Sequence, residues 1–129
     1  MPENRGPLTL EAGAALVAHR LVKLSSGQAA YNTATATDDP IGLTLLNVKS
    51  GEDVSIDPIN RGGTFEICAA GAISQGAEVY AAADGKVQAL PTGAGTYRRI
   101  GLAMEAAGVD GDIIEVLPDD YVTTETVSE

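Results

Sequence analysis

Few residues in this chain could carry out catalysis or hold a metal. His19 is its one histidine and Cys68 its one cysteine. A Ser–His–Asp arrangement would have to use His19, yet no G-x-S-x-G elbow exists to present a nucleophile. A structural zinc needs clustered His and Cys ligands, and one of each cannot supply them. Asp38-Asp39 and Asp110-Gly111-Asp112 suggest calcium loops, but the further ligands and bidentate Glu of such a loop are missing. Asp-Gly-Asp reads better as turn chemistry. Gly93, Gly95 and Gly101 precede no helix and have no lysine at P-loop spacing. The expectation is a protein that is not an enzyme and uses no cofactor or metal.

The elements that position these residues have to be built from small side chains. Phe65 is the only phenylalanine, tryptophan is absent, and alanine, glycine and aliphatic residues dominate. That composition suits thin β-layers in close contact. Eighteen acids against eight bases give a formal charge of −10. Phosphate backbones are bound by lysine and arginine, so nucleic acid is an unsuitable partner, as is an anionic membrane surface. A lone Cys68 flanked by Ile67, Ala69 and Ala70 implies a buried thiol and no internal disulfide. The first residues have no apolar run of signal-peptide type, and no segment approaches the ~20 apolar residues that span a bilayer.

The most informative feature is an internal repeat. Ala12-Gly13-Ala14 recurs as Ala70-Gly71-Ala72 and Gly27 as Gly85, both at an offset of 58 residues. Ile41-Gly42-Leu43 recurs as Ile100-Gly101-Leu102 at 59, and the segment from Gly51 recurs from Gly111 at 60. The offset grows in single steps, as small loop insertions would make it. Two copies are too few for a solenoid, so the expectation is two units, 11–59 and 64–118, closing around a shared core. Asn60-Arg61-Gly62-Gly63 joins them.

The repeat also decides a local ambiguity. Glu11 to Leu24 could pass for a helix, but its counterpart holds Ser74-Gln75-Gly76, and an interior glycine costs roughly 1 kcal/mol in a helix. A loop followed by a strand fits both copies, with strands over Leu21–Leu24 and Val79–Ala82. Ser25-Ser26-Gly27 and Asp84-Gly85 then read as hairpin turns, because a type I′ turn needs positive φ at both central residues. Second strands follow at Gln28–Tyr31 and Lys86–Leu90. Val54 and Ile56 alternate with Ser55 and Asp57, and Phe65 and Ile67 alternate with Thr64 and Glu66. Period-two patterning with turns every ~8–12 residues predicts an all-β fold, a small barrel or sandwich. Residues 1–10, outside the repeat and carrying two prolines, are expected to be an extended arm. Residues 119–129 hold four acids and no base, and are expected to be an acidic tail in which Tyr121 to Thr124 has enough β-propensity to add an edge strand.

The order of these elements resembles the phage capsid decoration, or cement, proteins, a family long catalogued only as a domain of unknown function. The similarity runs over residues 11–118. It is carried by the segment from Phe65 to Tyr80, by Val79-Tyr80 through Asp84-Gly85-Lys86-Val87 to Ile100-Gly101-Leu102-Ala103, and by the strand from Gly111 to Leu117. The resemblance implies a virion structural protein, made in the bacterial host cytoplasm. It would bind the major capsid protein on the outer capsid surface at threefold and quasi-threefold sites, assembling as a homotrimer. It also implies that an N-terminal arm clamps the coat. Pro7, Leu8, Thr9 and Leu10 are therefore the candidate capsid-binding residues, able to add to a coat strand by β-augmentation. The alternatives are a tail or head-fibre accessory and a small ligand- or glycan-binding barrel.

Overall fold

Short runs of alternating apolar residues, each closed by a glycine or polar turn, set the strand boundaries. A computed structural model describes residues 8–34, 38–59 and 63–127. It contains ten strands: β1 Leu8–Ala12, β2 Leu21–Ser25, β3 Gln28–Tyr31, β4 Pro40–Thr44, β5 Asp53–Pro58, β6 Phe65–Cys68, β7 Glu78–Ala81, β8 Val87–Gln88, β9 Gly95–Ala103 and β10 Ile113–Val127. The fold is all-β, as the alternation predicts. Strands β1 to β5 close into a barrel in the order β1-β3-β2-β4-β5. Strands β6 to β10 form a second sheet, β6-β10-β9-β7-β8. This is the first order repeated and read from the other side of β1. Its outer strands meet through the parallel bridge Ala69↔Val87, the counterpart of the parallel β1–β3 pairing Ala12↔Ala29.

The duplication is visible bond by bond. Ala12 N–H donates to Glu52 O at 2.8 Å and Gly51 N–H to Ala12 O at 2.8 Å. In the second unit Ala69 N–H donates to Asp112 O at 2.7 Å and Gly111 N–H to Ala69 O at 2.8 Å. Leu16 and Val48 exchange two bonds, as do Ile73 and Ala107. The ladder between the second and fourth strands of each unit slips at the equivalent place, between Val22 and Lys23 and again between Val79 and Tyr80. These pairings correct the first repeat offset from 58 to 57 residues, because Ala12 corresponds to Ala69, not Ala70. The matching Ala-Gly-Ala triplets misled by one position in an alanine-rich stretch. The insertion that restores 58 is in the hairpin loops: two residues, Ser26-Gly27, in the first unit and three, Ala83-Asp84-Gly85, in the second.

Both hairpins make the turn their residues require. Ser26 and Gly27 have φ of 51° and 79°, Asp84 and Gly85 of 59° and 72°. The surroundings of the two glycines differ. A Cβ on Gly27 would meet nothing within 4 Å, whereas one on Gly85 would lie 2.4 Å from the Leu21 carbonyl oxygen. Gly27→Ala is therefore expected to cost about 1 kcal/mol, from backbone strain alone. Gly85→Ala should cost at least about 2 kcal/mol more, because backbone has to move where the two units meet. Paired thermal melts check this, and equal losses would contradict the assigned contact.

Three expectations need correction. Leu8, Thr9 and Leu10 are not in a free arm: Leu8 to Glu11 pair antiparallel with Ile56 to Asp53, and Leu10 packs against the first core. The alternation Leu8-Thr9-Leu10 was itself the strand signal, and the one-residue error in the repeat concealed it. Residues 119–127 likewise continue β10, with Thr123 to Val127 paired to Arg99 to Gly95. Here β-propensity outweighs the acid content. Nor is there one shared core. Val22, Val54, Ile56 and neighbours fill the first unit's barrel, while Ile67, Val79, Ile114, Val116 and others pack against the second unit's sheet. Leu21 and Leu43 of the first unit join the second cluster, and Ile59 packs against it, at the seam between them. The expected strand at Lys86–Leu90 shortens to Val87–Gln88, and the joining residues 60–62 lie outside the described residues.

Candidate functional site

Of the residues singled out for chemistry, His19, Asp38, Asp39 and Cys68 sit at the seam between the units, whereas Asp110 pairs with Lys86 and Asp112 accepts from Gly108 N–H within the second unit. His19 takes a positive φ of 65°. Its N–H donates to Thr44 O at 2.9 Å, and its carbonyl accepts from Cys68 N–H at 2.9 Å. This backbone bridge ties β6 to the first barrel. Beside it lies a cleft of about 420 Å³ lined by His19, Thr44, Asp57, Glu66 and Glu115, among others. Its hydroxyls are committed: Thr44 Oγ1 donates to Val17 O at 2.6 Å, and Thr64 Oγ1 donates to Glu115 Oε2 at 2.6 Å. A hydroxyl that donates to a fixed carbonyl serves as a structural tie. Among the described residues no three His, Cys, Asp or Glu side chains converge as a metal site. Cys68 is buried, as its apolar neighbours suggest.

Asp38 and Asp39 serve the same seam. Arg98, 9% exposed, donates from Nη1 to Asp38 O at 2.9 Å and pairs with the Asp39 carboxylate, joining β9 to the first unit's loop. Nothing in the sequence around Arg98 signalled this, because its partners lie some sixty residues away. Asp38 accepts from the Thr33 hydroxyl and from Lys23 Nζ at 3.0 Å. The Thr33 hydrogen bond, helped by Lys23, holds its carboxyl below the usual range against the opposing effect of partial burial. A depressed folded pKa stabilises the fold above the ordinary carboxylate pKa near ~3.9, and that contribution disappears as pH falls through the folded value. Asp38→Asn should therefore lower stability at pH 7 by less than about 1 kcal/mol, given its partial exposure. Denaturant titrations should show the two proteins converging as pH falls below the ordinary carboxylate range. A gap that persists there would assign the loss to packing.

The proposed attachment segment is placed only in part. Pro7 lies outside the described residues. Leu8 to Glu11 pair with β5 along one edge, while β3 meets β1 only at Glu11 and Ala12. Among the described residues, then, no strand pairs with the β3-side edge of Leu8 to Leu10, and Thr9 is exposed. The segment is a barrel strand with one edge open.

Comparison with known proteins supplies the remaining findings. The sequence profile of a family described as phage cement protein matches residues 2–118. No curated protein matches the chain significantly. Among solved structures, the fold is similar to the N base of the head fibre protein gp8.5 of bacteriophage phi29. The TM-score is 0.68 at 19% identity, covering 91% of this chain and 96% of that one.

Proposed function

The chain belongs to the phage cement protein family, and from that premise we propose that it is a capsid decoration protein. It binds the outer surface of a phage head at threefold and quasi-threefold sites as a homotrimer, and stabilises the shell by bridging copies of the major capsid protein. The observation that carries this reading is the family match over residues 2–118, nearly the whole of both units. The physical character of the chain supports it. A barrel and a second sheet packed mainly with small aliphatic side chains and tied by backbone bonds suit bridging rather than turnover. A charge of −10 keeps a shell bearing many copies soluble and argues against nucleic acid as the partner.

Attachment uses Pro7, Leu8, Thr9 and Leu10, with a changed mechanism. The open edge of β1, in place of a free arm, receives a coat strand by β-augmentation, which draws affinity from main-chain hydrogen bonds. Three such edges on one trimer act together through effective concentration. The test is co-sedimentation with heads of the encoding phage assembled without the protein. Wild type is expected to bind. Thr9→Lys, which places a charge at the open edge, should bind much more weakly with an unchanged melt. Failure of wild type to bind would refute the decoration role, and equal binding of both would refute attachment at β1.

A further inference from the structure

The outer half of β9 depends on residues beyond the family match. Strand β7 pairs with β9 only as far as Arg99, opposite Tyr80. Past that point Gly95 to Arg98 pair with Val127 to Thr124 of β10, and with no other strand among the described residues. The profile match ends at residue 118, so this partner extends the matched fold. The register sets it apart from the rest of β10. Pro118 pairs with Gly101 and Thr123 with Arg99, so residues 119–122 stand opposite Ile100 alone.

The same stretch of β9 carries a clamp between the units. Arg98 is 9% exposed, donates from Nη1 to Asp38 O at 2.9 Å and pairs with the Asp39 carboxylate. A buried guanidinium keeps its partners only while the backbone beneath it is fixed, and two strands alone are marginal in water. Ribbon and clamp therefore support each other. The extension of β10 fixes the backbone at Arg98, and Arg98 fastens the ribbon to the first unit. The seam that they hold also encloses Leu21 and Leu43. Cys68, buried, donates its N–H across it to His19 O at 2.9 Å.

We propose that residues 123–127 are a strap: paired with β9 they hold Arg98 in the seam, and released they let the two units part. Glu125 and Thr126 are exposed, so the strap acts through the position it gives Arg98 and not by filling a core. It sets how firmly the two units move as one body. The inference goes beyond the proposed function, and its test needs no capsid, so failure here leaves capsid attachment standing.

The experiment is labelling of Cys68, the one cysteine, by a thiol reagent under native conditions, its rate reporting the opening of the seam. Four proteins are compared: the full chain, the full chain with Arg98→Ala, the chain ending at Pro118, and that shortened chain with Arg98→Ala. Each single change should speed labelling about tenfold, the equivalent of one charge-assisted hydrogen bond lost. The combination should be no faster than the quicker single change, because both break the same tie. Independent effects would multiply to about a hundredfold. Cooperative melts establish that the variants fold. Should the shortened chain fail to melt cooperatively, Thr126→Gly with Val127→Gly in the full chain replaces it, since glycine weakens a strand from within. A released strap that leaves labelling unchanged, effects that multiply, or a full chain that labels as fast as when unfolded would overturn the proposal.

Discussion

Replacing Gly101 by alanine is expected to destabilise the protein by about 3 kcal/mol or more, lowering the melting temperature by on the order of 10 °C. A Cβ at Gly101 would lie 2.1 Å from the Leu117 carbonyl oxygen and 2.8 Å from Pro118 Cα. Those atoms are backbone of the adjacent strand, so no rotamer change relieves the clash and β9 has to move away from β10. The first barrel repeats the situation: a Cβ on Gly42 would lie 2.3 Å from Asp57 O. Gly42→Ala should cost a similar amount, because the two glycines hold equivalent places in the Ile-Gly-Leu motif. Calorimetry on both single variants checks the pair. A loss below about 1 kcal/mol at either site would mean that the strands are less tightly apposed there than described.

That motif shows what could be read before the structure. Its recurrence tied Ile41-Gly42-Leu43 to Ile100-Gly101-Leu102, and these lie on β4 and β9, but the close approach of backbone at the two glycines could not be read from the sequence. Asp84-Gly85 fixed a turn because few residue pairs tolerate two positive φ values. The alternation at Val54 and Ile56 placed β5. Other features depend on pairings that no short window contains. The parallel pairing of β1 with β3 joins residues with β2 and a loop between them. Arg98 reaches the Asp38-Asp39 loop only because the units meet there. The start of β1 was hidden because alanine and glycine triplets match in more than one register. The acid content of residues 119–129 suggested a tail, but a strand whose neighbour is already in place can carry charges on its outward side. Leu8 to Leu10 were expected in an extended arm able to add to a coat strand, and the strand they pair with is β5 of their own barrel.

Removing residues 2–10 carries the second large effect, and follows from that geometry. The deletion takes away Leu8, Thr9 and Leu10 of the strand that closes the first barrel, with their pairings to Ile56, Ser55 and Val54. It also takes Leu10 from the wall of the first core and leaves buried Val54 and Ile56 with a missing neighbour. Loss of a strand from a five-stranded barrel exposes two edges and opens a core whose buried members are all small aliphatic residues. The truncated chain is expected to lose its cooperative melt and to be cleaved by protease between residues 11 and 59. Because Leu21 and Leu43 belong to the second cluster, the second unit should be weakened as well. A truncated protein that melts like the full chain would show that β1 contributes little, and would restore the picture of a dispensable arm.

The most direct test of the decoration role is cryo-electron microscopy of heads of the encoding phage, assembled with and without this chain. The account requires added density on the outer surface at threefold and quasi-threefold positions. Two five-stranded units per copy should fit that density, with the edge of β1 against the coat. Identical maps, or added density confined to the tail, would contradict it.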